Sequence, residues 1–381
     1  MRVLCDAIAF CYGPATVLQR VLRCWRDSSM EVTLVGTGTT LECLARTDLV
    51  DDVIEVNTEE PAELSARVRG RWDIFLSVCN PTGFAVLSKL ARRSVYWDFL
   101  LWMRIAGPAP EEFQADAYVV EAFPGTEEAL LRFEASIPGL LRCSVLADWR
   151  VEPAVSKPGF LLLNLGGQRS RLTEPGVTTC YPSLVVEAVQ RAADSLGFPG
   201  EILVTADART SDELARSHSR HGWSFRSLGH DEFLDAVDRA ERVITHPGIY
   251  SPFESIGRAK PTLFLPSSNY TQILQLAAFR KIGLAGESVD WPDFFGEGVP
   301  AGLPEPEGVR RVLELVERGR RSETVCSAIS ETCVRWLAMD AAALARVVEV
   351  QRRAAKPYFG DYRSTLTQVR NLLSPVVQRL G

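Results

Sequence analysis

The chain has 381 residues, 46% hydrophobic and 24% charged, with 27 Gly and 22 Pro, which is the composition of ordinary globular domains rather than of disordered, collagen-like or coiled-coil chains. At roughly 150 residues per domain the length suggests two or three domains, each able to bury its own core. The 42 basic and 48 acidic side chains leave a net charge of -6, which disfavours a nucleic-acid binder working through phosphate contacts.

In chain order, Arg2–Phe10 reads as a strand, and Ala15–Trp25 as a helix with Val17, Leu18, Val21 and Leu22 at helical spacing. Glu31–Gly36 is then a strand, Thr40–Arg46 a short helix and Asp52–Val56 a strand. Asp73–Val78 reads as a strand, Gly83–Arg92 as a helix, and Ser94–Trp97 and Ala117–Glu121 as further strands. The polar, Pro-containing stretch VEPAVSKPG at 151–159 breaks this alternation, and strand Phe160–Leu165 restarts it. A helix at 182–195, strand Glu201–Thr205, helix Glu232–Ala240, strand Arg242–Thr245, helix Pro252–Gly257 and strand Thr262–Leu265 follow. From about Arg310 the chain reads as helical, with an interruption at Lys356–Gly360. Such alternation predicts an α/β chain of two doubly wound units, each a parallel sheet covered by helices on both faces, joined near residue 150.

Nine cysteines are scattered without a C-x-x-C pair. No basic–apolar–small leader pattern opens the sequence, and no charge-free apolar run reaches the ~18 residues of a membrane span. The expectation is a cytoplasmic protein with reduced thiols and no stable membrane association.

In open parallel sheets, ligands bind beyond the carboxyl ends of the strands. Cys11-Tyr12-Gly13-Pro14-Ala15 lacks the spacing of a dinucleotide loop, and Gly36-Thr37-Gly38 is too short a signal alone, so both are weak nucleotide fingerprints for which a plain turn is the favoured reading. Asn164-Leu165-Gly166-Gly167-Gln168-Arg169-Ser170 differs: paired glycines let a backbone approach a phosphate, and Arg169 and Arg171 add positive charge. A tight turn with solvated arginines is the plainer alternative there. Thr245-His246-Pro247-Gly248-Ile249-Tyr250-Ser251-Pro252-Phe253-Glu254 carries the sharpest signal. A helix start after a strand offers N–H groups and a positive dipole end to an anion. His246 and Ser251 can donate to a diphosphate, and Glu254 can accept from two ribose hydroxyls. The same Ser251-Pro252-Phe253-Glu254 also reads as a capping box, with Ser251 at the N-cap and Glu254 at the third position, which needs no ligand.

The run His246-x-Gly248-x-x-Ser251-x-x-Glu254 resembles the signature core of nucleotide-sugar glycosyltransferases of the GT-B fold. Pro266 followed by Thr271-Gln272-x-x-Gln275 is similar to that family's Pro and (Asp/Glu)-Gln-x-x-Asn, and Gly166-Gly167-Gln168 to the Gly-rich loop of its peptidoglycan N-acetylglucosaminyltransferase branch. The resemblance implies two Rossmann-like domains, an acceptor domain at 1–150 and a donor domain at 151–345, with C-terminal helices at 346–381 returning to the first. The apolar pattern Leu366, Val369, Leu372, Leu373 and Val376 in a last helix near Arg363–Leu380 permits that return. It further implies that Gly166, Gly167, His246, Gly248 and Ser251 hold the donor diphosphate and Glu254 the ribose. Segment 225–230, with Phe225, Arg226, Leu228 and His230, would hold the nucleobase, and Thr271 and Gln272 would face the donor sugar. Thr271 stands where the family has an acidic residue and Gln275 where it has Asn, which leaves the sugar open. No cofactor is implied beyond a UDP-sugar co-substrate, and no metal, because the helix terminus offsets the leaving diphosphate charge.

Many relatives use a His in the first loop as the base, and here all four histidines, His218, His221, His230 and His246, lie in the second half. Carboxylates at strand ends are the substitutes: Asp98, inside Tyr96-Trp97-Asp98-Phe99-Leu100-Leu101-Trp102, and Asp6. Apolar surroundings would raise the Asp98 pKa toward that of a general base; a capping Asp beside core tryptophans is the alternative. Tyr12, Gly13, Asn80, Trp97 and Trp102 are the acceptor-side candidates. The expected function is metal-independent, inverting transfer from a UDP-sugar to a soluble small molecule. The layout around Tyr96-Trp97-Asp98 also resembles proteins grouped with cytosylglucuronic acid synthase, which implies a nucleobase acceptor such as cytosine in nucleoside-antibiotic biosynthesis. Rival readings are a nucleotide-sugar 2-epimerase and a non-catalytic nucleotide-sugar-binding partner.

Overall fold

The structure, a computed structural model, describes residues 1–104, 107–152, 154–168 and 180–373. Arg169, Ser170, Arg171, Pro153, and Val376 with the rest of 374–380 lie outside the described residues. The chain divides into two compact units, 1–146 with 358–381, and 147–357.

In the first unit, seven strands form one parallel sheet: β1 (Arg2–Ala7), β2 (Glu31–Gly36), β3 (Asp52–Glu55), β4 (Trp72–Val78), β5 (Ala91–Asp98), β6 (Ala117–Glu121) and β7 (Leu140–Cys143). Their order is β3-β2-β1-β4-β5-β6-β7, so the winding reverses between β1 and β4, where Asp6 stands in register with Ser77. The second unit has five parallel strands, β8 (Phe160–Asn164), β9 (Glu201–Thr205), β10 (Trp223–Arg226), β11 (Arg242–Thr245) and β12 (Thr262–Phe264), in the order β10-β9-β8-β11-β12. Here the reversal lies between β8 and β11, and Asn164 stands in register with Thr245.

Alternation of side chains along each strand splits the second core in two. Leu161, Leu163, Ile202, Val204 and Ile244 pack with helices Cys180–Leu196 and Glu323–Leu337. Phe160, Leu162, Leu203 and Val243 face helix His230–Arg239 through Phe233, Ala236 and Val237. Every residue of β8 is buried, which is why it reads as an unbroken apolar run.

Several boundaries differ from the sequence reading. The helix expected over Gly83–Arg92 is Pro81–Leu87, followed by a 3-10 turn at Ser88–Leu90, and β5 already begins at Ala91. The junction lies at 146 rather than 150, because Arg150 belongs with the second unit: its N–H donates to the Gly257 carbonyl (2.9 Å) and its guanidinium pairs with Asp238 (2.8 Å). The C-terminal return begins near Tyr358 rather than at 346. Helix Ala341–Ala355 stays with the second unit, since the buried Gln351 amide brackets Thr262, accepting from its N–H (3.0 Å) and donating to its carbonyl (2.6 Å). Helix Tyr362–Leu373 packs on the first unit through Leu366, Val369 and Leu373, while Leu372 is half exposed. The Trp25 indole N–H donates to the Leu366 carbonyl (3.0 Å), and the Val145 N–H to that of Tyr358 (2.9 Å).

Candidate functional site

On the second unit, three segments meet at the carboxyl ends of β8, β11 and β12. Asn164 ends β8 and ties two of them: its amide donates to Thr245 Oγ1 (3.1 Å), and its Oδ1 accepts from the Gly166 N–H (3.2 Å). Gly167 has φ 77, a conformation that suits glycine. After β11 the chain is helical from Tyr250 to Gly257. The expected capping box is therefore absent: Ile249, already in helical conformation, is the N-cap, its apolar side chain offers no acceptor, and Ser251 lies inside the first turn. First-turn N–H groups of a helix have no intrahelical partner, and Gly248 and Ser251 are the partly exposed positions of this turn. A Cβ on Gly248 would meet only the Pro252 ring, at 3.9 Å.

His246 joins the three segments. Its Nε2 bonds the Gly166 carbonyl, and its Nδ1 lies 2.8 Å from Gln272 Nε2 and 2.9 Å from the Pro247 carbonyl. Gln272 opens helix Tyr270–Lys281, where the Asn269 side chain caps its N–H (2.9 Å). Burial lowers the His246 pKa, and the Pro247 and Gly166 carbonyls oppose that shift. Thr271 and Gln275 are buried on the same helix. Gln168 Nε2 and Gln275 Oε1 are buried polar atoms without a hydrogen-bond partner.

Glu254, 3% exposed, lies 3.5 Å from His230 Nε2. His230 opens helix His230–Arg239, whose N-cap Gly229 N–H is held by Glu232 (2.9 Å). The structure thus brings the ribose candidate and one nucleobase candidate together. Phe225 and Leu228 pack partly against the core, while Arg226 is exposed and pairs with Glu232 at 3.4 Å.

In the first unit, Asp98 is 5% exposed and held through both oxygens, by Tyr118 OH (2.5 Å) and the Leu100 N–H (2.6 Å). Burial raises its pKa and the Tyr118 bond opposes the shift. Asp6 is fully buried, accepts from Asn80 Nδ2 (2.7 Å) and keeps Oδ1 unpartnered. Burial pushes its pKa up to about 7, against the neighbouring Ser77 hydroxyl and the Asn80 amide. Gly83 closes over it: a Cβ there would stand 2.1 Å from Asp6 Oδ2.

Two acceptor-side expectations need correction. Trp97 and Asn80 are fully buried and present no surface to a ligand. The Trp97 N–H donates to Glu121 (3.1 Å), and Asn80 caps the following helix through the Gly83 N–H (3.1 Å). Tyr12 and Trp102 are partly exposed, Tyr12 OH donating to Glu42 (3.4 Å) and the Trp102 ring lying 4.5 Å from that of Phe123. Gly13, also partly exposed, opens helix Gly13–Trp25 beside Tyr12. All nine cysteines are free. Among the described residues no group of three or more His, Cys, Asp or Glu could hold a metal ion, and no helix is long and apolar enough to cross a membrane.

No protein-family model and no curated protein matches the chain. Solved structures do. The calicheamicin glycosyltransferase CalG4 is 13% identical, with TM-score 0.54, covering 99% of both chains. The spinosyn rhamnosyltransferase SpnG, complexed with thymidine diphosphate, is 13% identical with TM-score 0.56 over 97% of this chain and all of its own. Arabidopsis thaliana UGT89C1, complexed with UDP, is 11% identical with TM-score 0.53 over 98% of this chain and 99% of its own. At these identities the likeness is one of fold, and the chain has the GT-B fold that these glycosyltransferases share.

Proposed function

We propose that the chain transfers a sugar, with inversion and without a metal, from a UDP-sugar to a soluble small-molecule acceptor such as a nucleobase. The observation that carries this reading is the convergence on one sheet end of the Gly166-Gly167 turn, the helix start at Tyr250 and the Glu254–His230 pair. A helix start after a strand suits a diphosphate, and a buried carboxylate suits a ribose diol. Gln168 Nε2 and Gln275 Oε1 are groups that sugar hydroxyls would satisfy. Bound UDP and thymidine diphosphate in the similar structures make these two nucleotides the ones to compare.

The test is calorimetric titration of UDP into the wild-type chain and Glu254→Gln. Hydrogen bonds to a charged group contribute about 1.5–3 kcal/mol, so affinity should fall roughly 10- to 150-fold at an unchanged melting temperature. Equal affinity in two equally stable proteins would remove Glu254 from the site.

On the transfer reading, the acceptor proton passes to a first-unit carboxylate. Asp6 has a pKa raised to about 7, the range of a general base, but its carboxyl is fully buried, and Asp98, 5% exposed, accepts a hydrogen bond at each oxygen. Asp6→Asn then lowers turnover by ~10²–10⁴-fold at unchanged UDP affinity. A second reading, nucleotide-sugar binding without transfer, is favoured by the complete burial of Asp6. Donor binding with neither transfer nor hydrolysis across a panel of acceptors would select it.

A further inference from the structure

The hydrogen bonds around His246 fix where its proton sits. Gln272 Oε1 accepts from the Ser268 N–H (2.7 Å) and from Ser268 Oγ (2.8 Å). A backbone N–H only donates, so the amide cannot be turned round, and its NH₂ group faces His246 Nδ1 at 2.8 Å. Nδ1 is then the acceptor nitrogen, and the ring's single proton lies on Nε2, where it is donated to the Gly166 carbonyl. The Pro247 carbonyl, 2.9 Å from Nδ1, is the one neighbour that this tautomer leaves unserved. An imidazolium would serve Pro247 but would set an N–H against the Gln272 NH₂. Burial, the leading cause of the lowered pKa, favours the neutral ring too.

We propose that His246 is a positioning residue, a neutral Nε2–H imidazole locked in that tautomer by Gln272, which holds the Gly166 carbonyl and thereby sets the Gly166-Gly167 turn beside the helix start at Tyr250. The consequence for the donor rests on the reading above: backbone N–H groups of the turns, rather than an imidazolium, meet the diphosphate. Gln272 gives its oxygen to Ser268 and one amide N–H to His246, which leaves its second N–H as the donor for the sugar.

The ring nitrogens of the full-length, ¹⁵N-labelled protein report the tautomer directly, with His246 assigned by its loss in His246→Gln. The expected result is a protonated Nε2 and a bare Nδ1, unchanged between about pH 6 and 8 and unchanged by saturating UDP. Gln272→Glu sets a carboxylate oxygen opposite Nδ1 and should convert His246 to the imidazolium at pH 7, weakening UDP roughly tenfold. His246→Ala should lose UDP affinity by roughly tenfold, and His246→Gln, whose amide can still reach Gly166, should recover most of it. A proton on Nδ1, an imidazolium in the wild-type chain at pH 7 or on UDP addition, or equal loss in the Gln and Ala variants would overturn the proposal. If the wild-type chain binds no UDP, the donor-site reading fails separately. The backbone amide resonances of Gly166 and Gly167, disturbed in His246→Ala and near native in His246→Gln, then decide the positioning role.

Discussion

Asp6 and Glu254 are both buried carboxylates, and their neighbours set them apart. Asp6 faces the neutral Asn80 amide and Ser77, so burial wins and its pKa rises from 3.8 to about 7. Within that window the folded chain keeps a proton that the unfolded chain has released, so this group's contribution to stability declines as pH rises from about 4 to about 7. Asp6→Asn removes the titration, and the fall in melting temperature across that window should become shallower; an identical slope in both proteins would contradict the assignment. Glu254 lies 3.5 Å from His230 Nε2. Gly248 gives the sharpest separation of fold from function. A side chain there meets no backbone, only the Pro252 ring at 3.9 Å, and would occupy space in front of the turn. Gly248→Val should therefore melt within a few degrees of the wild-type chain while UDP titration gives no measurable heat.

At the scale of elements, strands were the most legible part of the sequence, because β-branched and leucine runs buried on both faces need no partner to be recognised. Glu31–Gly36, Ala117–Glu121, Glu201–Thr205 and Arg242–Thr245 have the limits that their composition suggests. Helices without an apolar stripe were not legible. Ala208–His218 buries only Thr210, Ser211 and Leu214 and begins at an Asp207 cap, whereas Tyr270–Lys281 is buried on nearly all sides. The site motif was legible in its spacing but not in its contacts. Ser251 obeys the capping rule, yet Ile249 already has helical backbone angles, so the helix starts earlier. Trp97 and Asp98 sit in an apolar run that fits both a core and a ligand-lining wall, and their burial decides for the core. Lys260 shows how one element is anchored: its buried ammonium donates to Ser156 Oγ and the Asp238 carbonyl, both at 2.7 Å, and burial draws its pKa down to about 8. Lys260→Met leaves both acceptors unserved and loosens the segment around Ala154–Ser156, so limited proteolysis should cut there faster than in the wild-type chain. Equal cutting rates would mean that the segment is held by Lys157 and Arg150 instead.

At the scale of the molecule, each unit carries its own sheet, and the chain ends by returning to the first. Trp25 is covered by helix Tyr362–Leu373 and gives its N–H to Leu366, so deleting residues 358–381 uncovers a buried indole and orphans a polar group. That deletion should lower the melting temperature of the first unit and leave UDP binding by the second intact; loss of UDP binding with it would contradict the independence of the donor site. The proposed nucleoside diphosphate site lies on the second unit where β8 and β11 end. Amide hydrogen exchange of the full chain, with and without saturating UDP, tests it most directly. Bound nucleotide should slow exchange at 166–168, 248–251 and 229–232, with the first-unit strands β1 to β7 unchanged. Protection confined to the first unit, or no protection anywhere at saturating UDP, would contradict it.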